Sequence, residues 1–356
     1  MRRRNFLSLL GGAYGTTARA VAERDEAALL RLAQSVSSRH QVCSLSFAVV
    51  SHGASRPGHT VSGCRADSGA DAIYQAASLA KPVFAYLVLR LAGKKVIDLD
   101  ASISKYFPSG YAHRQNLFAL NRSPVEDTVP ESTLVAITPR RLLTHTAGLP
   151  NWADNRPLQP DPAKLGVWNY SGEGYVLLQR SVERATGESL SSLARKLVFD
   201  PLKMQDSAFS APEQASLRVA PGLSASGQPR QLRYPPSLAL ASGSLHTTAN
   251  DLAGFMANLL SDEAMLKQII ERPVAVRPGK GLHWGLGWGI ERSSEGDFLL
   301  HWGNNPGYRS LAMMSIADRT AIVVLTNSEG GMAAAKALAR DAIPGANECL
   351  NFPMLQ

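Results

Sequence analysis

The chain has 356 residues, 45% hydrophobic and 19% charged, an ordinary balance for a folded globular protein of one large or two interlocked domains. No apolar run approaches the length needed to span a bilayer. The formal net charge is +8, but Arg2, Arg3, Arg4 and Arg19 lie in the first 20 residues with no acid among them, and no dense Lys/Arg block follows, so nucleic-acid binding has little support.

In chain order, residues 1–20 read as an export signal. Arg2-Arg3-Arg4-Asn5-Phe6-Leu7 is a basic, twin-arginine-like head, an apolar stretch follows to about Tyr14, and Ala18-Arg19-Ala20 has the form of a cleavage site. The expected mature chain starts near Val21 in the periplasm; a basic tail is the alternative. Residues 22–37 carry Leu29, Leu30, Leu32, Ala33 and Val36 at helical spacing. Ser44–Ser51 and about His59–Cys64 read as a hairpin turning at Gly53-Ala54. Cys43 and Cys64 would face each other across it, as a disulfide outside the cytosol or as two buried thiols. With Cys349 as the third cysteine, no spacing suggests a metal, and no cofactor is expected.

Ser78-Leu79-Ala80-Lys81 opens an apolar helix running to Gly93. A serine and a lysine three apart share a helix face, and a lysine whose pKa falls on burial can activate the hydroxyl. At a helix start, backbone N–H groups favour an oxyanion. The competing reading is a serine N-cap. The tetrad alone is weak, because Ser102-Ile103-Ser104-Lys105 repeats it before a loop.

From about Asp98 to Pro236 helices alternate with Pro-rich loops. Thr138-Pro139 starts one helix, which Gly148 is expected to end; Gly172–Thr186 is a second, closed by Gly187; Ser191–Phe199 is a third. Helix Thr248–Leu260 follows, then strands Leu286–Glu291, Phe298–His301, Ser310–Ile316 and Thr320–Thr326, and a closing helix Glu329–Ile343. The predicted class is α+β: an antiparallel sheet built from both chain ends (residues 21–97 and 237–356) and flanked by helices, with a mostly helical region (98–236) inserted. A cleft is expected at their seam.

Two further stretches could complete a site there. Tyr170-Ser171-Gly172 precedes a helix, where a phenol beside a lysine would have a lowered pKa and act as a base. His301-Trp302-Gly303-Asn304 follows a strand, where glycine allows close approach and an edge N–H completes an oxyanion hole with that of Ser78. For each alone, a core or strand-end residue is the plainer reading.

Taken in order, these motifs resemble the serine β-lactamase-like superfamily, on the class C β-lactamase, DD-peptidase and family VIII esterase side. Ser78-Leu79-Ala80-Lys81 matches its first motif. Tyr170-Ser171-Gly172 matches the tyrosine of Tyr-x-Asn but not its third position. His301-Trp302-Gly303 matches a His-x-Gly form of the third motif, which is Lys-Thr-Gly in many members. The runs Leu142–Pro150 and Ser242–Leu245 look like structural hallmarks, which makes His145 structural. The similarity covers about residues 40–345.

The resemblance implies catalytic Ser78, Lys81 and Tyr170, with His301, Gly303, Asn304, Ser171 and Gly172 on the substrate and oxyanion side. It implies a serine acyl hydrolase acting through an acyl-enzyme on small-molecule or peptide-like substrates. Gly172 lacks an amide and His301 lacks a fixed charge, so weak or no β-lactamase activity is expected, with neutral esters favoured. The alternative is a slow cell-wall-fragment sensor or scaffold of the same fold.

Overall fold

A computed structural model describes residues 26–63, 71–118, 123–210, 218–231, 235, 237–277, 279–345 and 348–355. The expected signal and Cys64 lie outside them. Helix α1 (Glu26–Arg39) is followed by strands β1 (Ser44–Ser51), β2 (Ala54–Ser55), β3 (His59–Ser62) and β4 (Tyr74–Gln75). A 3₁₀ turn over Ala77–Leu79 leads into α2 (Ala80–Gly93). Next come β5 (Tyr111–Arg114), β6 (Glu126–Val129), α3 (Glu131–Leu134), α4 (Pro139–Leu143), α5 (Gly172–Thr186) and α6 (Leu190–Ala194). Strand β7 (His246–Thr247) precedes α7 (Ala249–Ser261) and α8 (Glu263–Ile270). Then β8 (Val274–Arg277), β9 (Leu282–Trp284), β10 (Gly289–Ser293), β11 (Gly296–Asn305), β12 (Tyr308–Ser315) and β13 (Thr320–Thr326) lead to α9 (Gly331–Ala342). No described helix is long and apolar enough to cross a membrane.

The main sheet runs β2-β1-β13-β12-β11-β10-β9-β8, with β3 also on β1, and the pairings within it are antiparallel. The N-terminal strand thus lies against the last one, as Leu45 against Thr326 and Phe47 against Val324. Both strands are apolar on both faces because helices cover both: α7 packs against β1 and β13 on one side, α1 and α9 against the sheet on the other. Two large core clusters result, beside a small one at Val176 and Leu240. One holds α2, α5 and α7, and the other holds α1, α9 and the aromatic side chains Trp284 and Trp302.

Local differences from the sequence reading have local causes. The first hairpin turns at His52-Gly53, one residue earlier than expected, because both residues adopt positive φ (51° and 79°). That is the backbone of a tight two-residue connection with the twist of its strands. Cys43 is disulfide-bonded, and Cys349 is a buried free thiol. Helix α4 stops at Leu143 and not near Gly148. His145 already takes left-handed φ (57°) there, while the backbone of Gly148 (φ 73°) lies where a Cβ would meet the Asp161 carbonyl oxygen at 2.5 Å. Strand β11 extends through Asn305, so the third motif lies within a strand. Strands β5, β6, β8 and β9 and helix α8 are short elements that the periodicity does not reveal.

Candidate active site

The turn carrying Ser78 is held from three sides. Strand β4 pairs with β7, Tyr74 against Thr247 and Gln75 against His246. Gln75 donates through Nε2 to the Gly243 carbonyl (2.6 Å) and accepts from the Ala77 N–H (3.1 Å) and from Asn305 Nδ2 (2.9 Å). Ser310 Oγ donates to the Ala76 carbonyl (2.7 Å). Ala77 is pinned by these bonds at φ 51°, an uncommon conformation for a residue with a side chain, and it aims Ser78 outward. Ser78 lies in the 3₁₀ turn, one residue before the Leu79 cap of α2. Lys81 and Pro82 occupy the second and third helical positions, where the missing proline N–H has no intrahelical role.

Lys81 Nζ donates to Ser78 Oγ at 2.9 Å and to the Ser242 carbonyl at 2.6 Å. It lies 4.9 Å from the centre of the Tyr170 ring and 5.6 Å from that of Tyr175. Lys81 is only 1% exposed, and no carboxylate among the described residues pairs with it. Burial alone therefore brings its pKa from 10.5 down to about 7. That lysine exists as free base in a large fraction of molecules at neutral pH.

Tyr170 behaves opposite to the sequence expectation. Burial pushes its phenol above the ordinary value, with the nearby Ser78 hydroxyl pulling only part of the way back. A neutral lysine exerts no charge effect to offset the burial, so the phenol keeps its proton. Its ring stacks on Trp302 at 5.9 Å.

His301 is wholly buried. Its Nδ1 bonds to the Trp302 carbonyl (2.9 Å), which assigns the proton to that nitrogen. Burial, then the Lys81 charge, holds its pKa down to about 3, so the ring is neutral. His145 Nδ1 accepts the Ser171 N–H (3.1 Å), and its ring lies 4.4 Å from that of Tyr170. It buttresses the tyrosine loop, in keeping with the structural role expected of it.

A cleft of about 470 Å³ opens over Ser78. Of the anticipated residues, Ser78, Lys81, Tyr170 and Asn304 line it, whereas His301, Gly303, Ser171 and Gly172 are buried and do not. Gly303 has a clear reason to lack a side chain: a Cβ there would run into Ser310 Oγ, and at 2.5 Å into the Ala76 carbonyl oxygen. Only glycine lets the Ser78 turn press against β11. Strand β10 pairs with β11 as far as Leu300, so Trp302–Asn305 is bonded to β12 alone and its other edge faces that turn.

Gly172 is explained by a neighbour. The Trp152 ring lies 2.5 Å from where a Cβ would stand, and Asn151 accepts the Gly172 N–H through Oδ1 (3.0 Å). Asn151 also lines the cleft, so an amide is present after all, supplied by the adjoining loop. Ser171 caps α5, accepting the Gly174 N–H (2.8 Å) and donating to the Pro150 carbonyl (2.6 Å).

The sequence reading missed Asn151, Trp152 and Phe118 on one wall and Arg309 and Glu329 on another. It also missed a buried cluster under the Asn151 loop. His113 Nδ1 bonds Asp127 (2.7 Å), and its Nε2 lies 3.3 Å from Glu173. Those carboxylates accept the Leu158 N–H and the Ala153 N–H (both 3.0 Å), tying the loop to β6 and α5. The adjacent Leu149-Pro150 hallmark was the available signal for this wall.

A buried lysine on a turn-mounted serine, under an antiparallel sheet flanked by helices, defines the serine hydrolases that use a Ser-x-x-Lys pair. Comparison with known proteins agrees. The Beta-lactamase family model matches residues 18–345, and the chain belongs to that family, within the serine hydrolases of the β-lactamase superfamily. It is 23% identical over 299 residues to penicillin-binding protein 4* of Bacillus subtilis, covering 73% of this chain and 61% of that protein. It is 25% identical over 317 residues to the D-alanyl-D-alanine-carboxypeptidase/endopeptidase AmpH of Escherichia coli, covering 78% of this chain and 76% of that protein. The fold matches a class C beta-lactamase structure with a TM-score of 0.69 at 15% identity, over 95% of this chain and 99% of that one.

Proposed function

We propose that the protein is a serine acyl hydrolase working through an acyl-enzyme on Ser78, with esters or peptide-like amides as substrates and weak or no β-lactamase activity. The observation that carries this reading is the 2.9 Å contact between Ser78 Oγ and a Lys81 amine whose pKa lies near 7. In the free-base form the amine accepts the hydroxyl proton as Oγ attacks the substrate carbonyl carbon. The carbonyl oxygen becomes an oxyanion facing the Ser78 N–H and an N–H of the open β11 edge at Asn304. Collapse of the tetrahedral species breaks the bond to the leaving group. The leaving group takes a proton from the Lys81 ammonium, with the protonated Tyr170 phenol as the adjacent donor. Water then attacks the acyl-enzyme and Lys81 accepts its proton; collapse breaks the acyl–Oγ bond, Lys81 returns the proton to Oγ, and the acid leaves with Ser78 restored.

The family's third-motif lysine is His301 here, buried, neutral and not among the cleft-lining residues, so that position itself offers no charge to a β-lactam carboxylate. The disulfide at Cys43 supports export to an oxidising compartment, which N-terminal sequencing of the mature chain would test by finding a start near Val21. The function itself is tested with a fluorophosphonate probe and p-nitrophenyl esters. Labelling with turnover is the expected result. Labelling without turnover would point to a slow sensor, and the absence of both would refute the hydrolase reading.

A further inference from the structure

The charged groups lining the cleft are Lys81, Arg309 and Glu329. Lys81 is engaged with Ser78 and the Ser242 carbonyl. Glu329 is held by Arg230, with contacts of 3.1 Å to each carboxylate oxygen. Arg309 is left. Its Nη1 donates to the carbonyls of Asn305 (3.0 Å) and Tyr308 (2.8 Å), which uses both hydrogens of that nitrogen. Its Nε and Nη2 hydrogens have no acceptor, and no carboxylate lies within ion-pair distance, among the described residues. The guanidinium is half-buried, and the two carbonyl bonds fix its plane. Arg309 stands opposite Asn304 across β11 and β12, so both project from the same sheet face, one strand from the edge beside Ser78.

We propose that Arg309 is the anion-recognising residue of this cleft, and that favoured substrates carry a carboxylate on the part lying over the β11–β12 turn. The inference rests on the acyl-hydrolase reading of Ser78. A planar fork with free parallel N–H groups matches a carboxylate bidentately, and partial burial strengthens the pairing over that of a fully solvated charge. The cation absent at position 301 is thereby supplied from the neighbouring strand, eight residues further on. This revises the expectation that neutral esters are favoured. Glu329 opposes the effect from the same wall, and Arg230 limits that opposition.

The test compares kcat/KM for two matched pairs. One pair places the carboxylate on the leaving group, 3-acetoxybenzoate against 3-methylphenyl acetate. The other places it on the acyl group, monophenyl adipate against phenyl hexanoate. Wild type should prefer the charged member of at least one pair, and the preference should shrink with added salt. Arg309→Gln should lower that ratio about tenfold, Arg309→Lys should keep part of it, and Glu329→Gln should raise it. Benzoate binding to Ser78→Ala, followed by tryptophan fluorescence, gives a readout free of turnover. Adding Arg309→Gln should weaken it about tenfold. Arg309-dependent benzoate binding in a protein that hydrolyses no ester would sink the hydrolase reading and leave this one standing. Ratios and benzoate affinity unmoved by Arg309→Gln would overturn the proposal.

Discussion

The chain contains two Ser-x-x-Lys tetrads, and the structure makes them opposites. Ser102 caps a 3₁₀ turn over Ile103–Tyr106, its Oγ accepting the Ser104 N–H (3.1 Å) and donating to the Leu134 carbonyl (3.2 Å). Lys105 is exposed, with its amine 5.0 Å from the Tyr106 ring centre. Ser78 instead follows a strained Ala77 and faces a cleft, and Lys81 is enclosed by Tyr170, Tyr175 and the Ser242 carbonyl. The spacing is the same in both. Enclosure separates them: removing water from around one amine brings its pKa to about 7, and that amine lies 2.9 Å from the hydroxyl, as the proposed base must.

The largest expected effect tests that contrast at the nucleophiles. Ser78→Ala should lower ester turnover by about 10⁴–10⁶-fold, whereas Ser102→Ala should leave it nearly intact. Comparable losses in both would erase the distinction. The lysines come next. Lys81→Ala should cost about 10²–10⁴-fold in kcat, the usual range for a general base, and Lys105→Ala should be neutral in the same assay.

Two smaller effects sharpen the account of the cleft wall that the second tetrad lacks. Replacing His113 by Asn removes one partner of a buried ionic cluster and should cost about 3 kcal/mol of stability, read by urea denaturation. Burial pushes the folded pKa of His113 down, but the Asp127 hydrogen bond and the adjacent Glu173 carboxylate outweigh it and leave the pKa raised. This contribution is therefore full below the imidazole's unfolded pKa and is lost as pH rises through the higher folded value. A wild-type–mutant difference that grows toward alkaline pH would contradict it. Gly172→Asn, which on sequence grounds restores a family amide, should instead lower stability by about 1–3 kcal/mol by driving a side chain into the Trp152 ring. A more stable or more β-lactam-active variant would show that Trp152 yields.

The longer elements were legible because an apolar run or a helical period persists over many residues. β1 and β13 have the expected bounds, and so does α5, with its serine cap and its left-handed Gly187. That Ser78, Lys81 and Tyr170 lie together on one cleft was legible from the order of their motifs. What was not legible depends on contacts distant in sequence. No local pattern at Arg309 shows that Glu329 is already paired with Arg230, or that Trp152 fills the space beside Gly172. The sign of the Tyr170 shift was misread for a related reason. A neighbouring lysine lowers a phenol's pKa only while charged, and the enclosure that makes Lys81 a base also takes that charge away.

The most direct measurement is the pH dependence of covalent labelling, with the modified residue mapped by peptide mass spectrometry. A fluorophosphonate should modify Ser78, at a rate that rises with pH and levels off about a midpoint near 7 as Lys81 becomes free base. Label on Ser102, or labelling of Ser78 that keeps climbing toward the ordinary lysine pKa near 10, would contradict the claim that burial of Lys81 makes this serine a nucleophile.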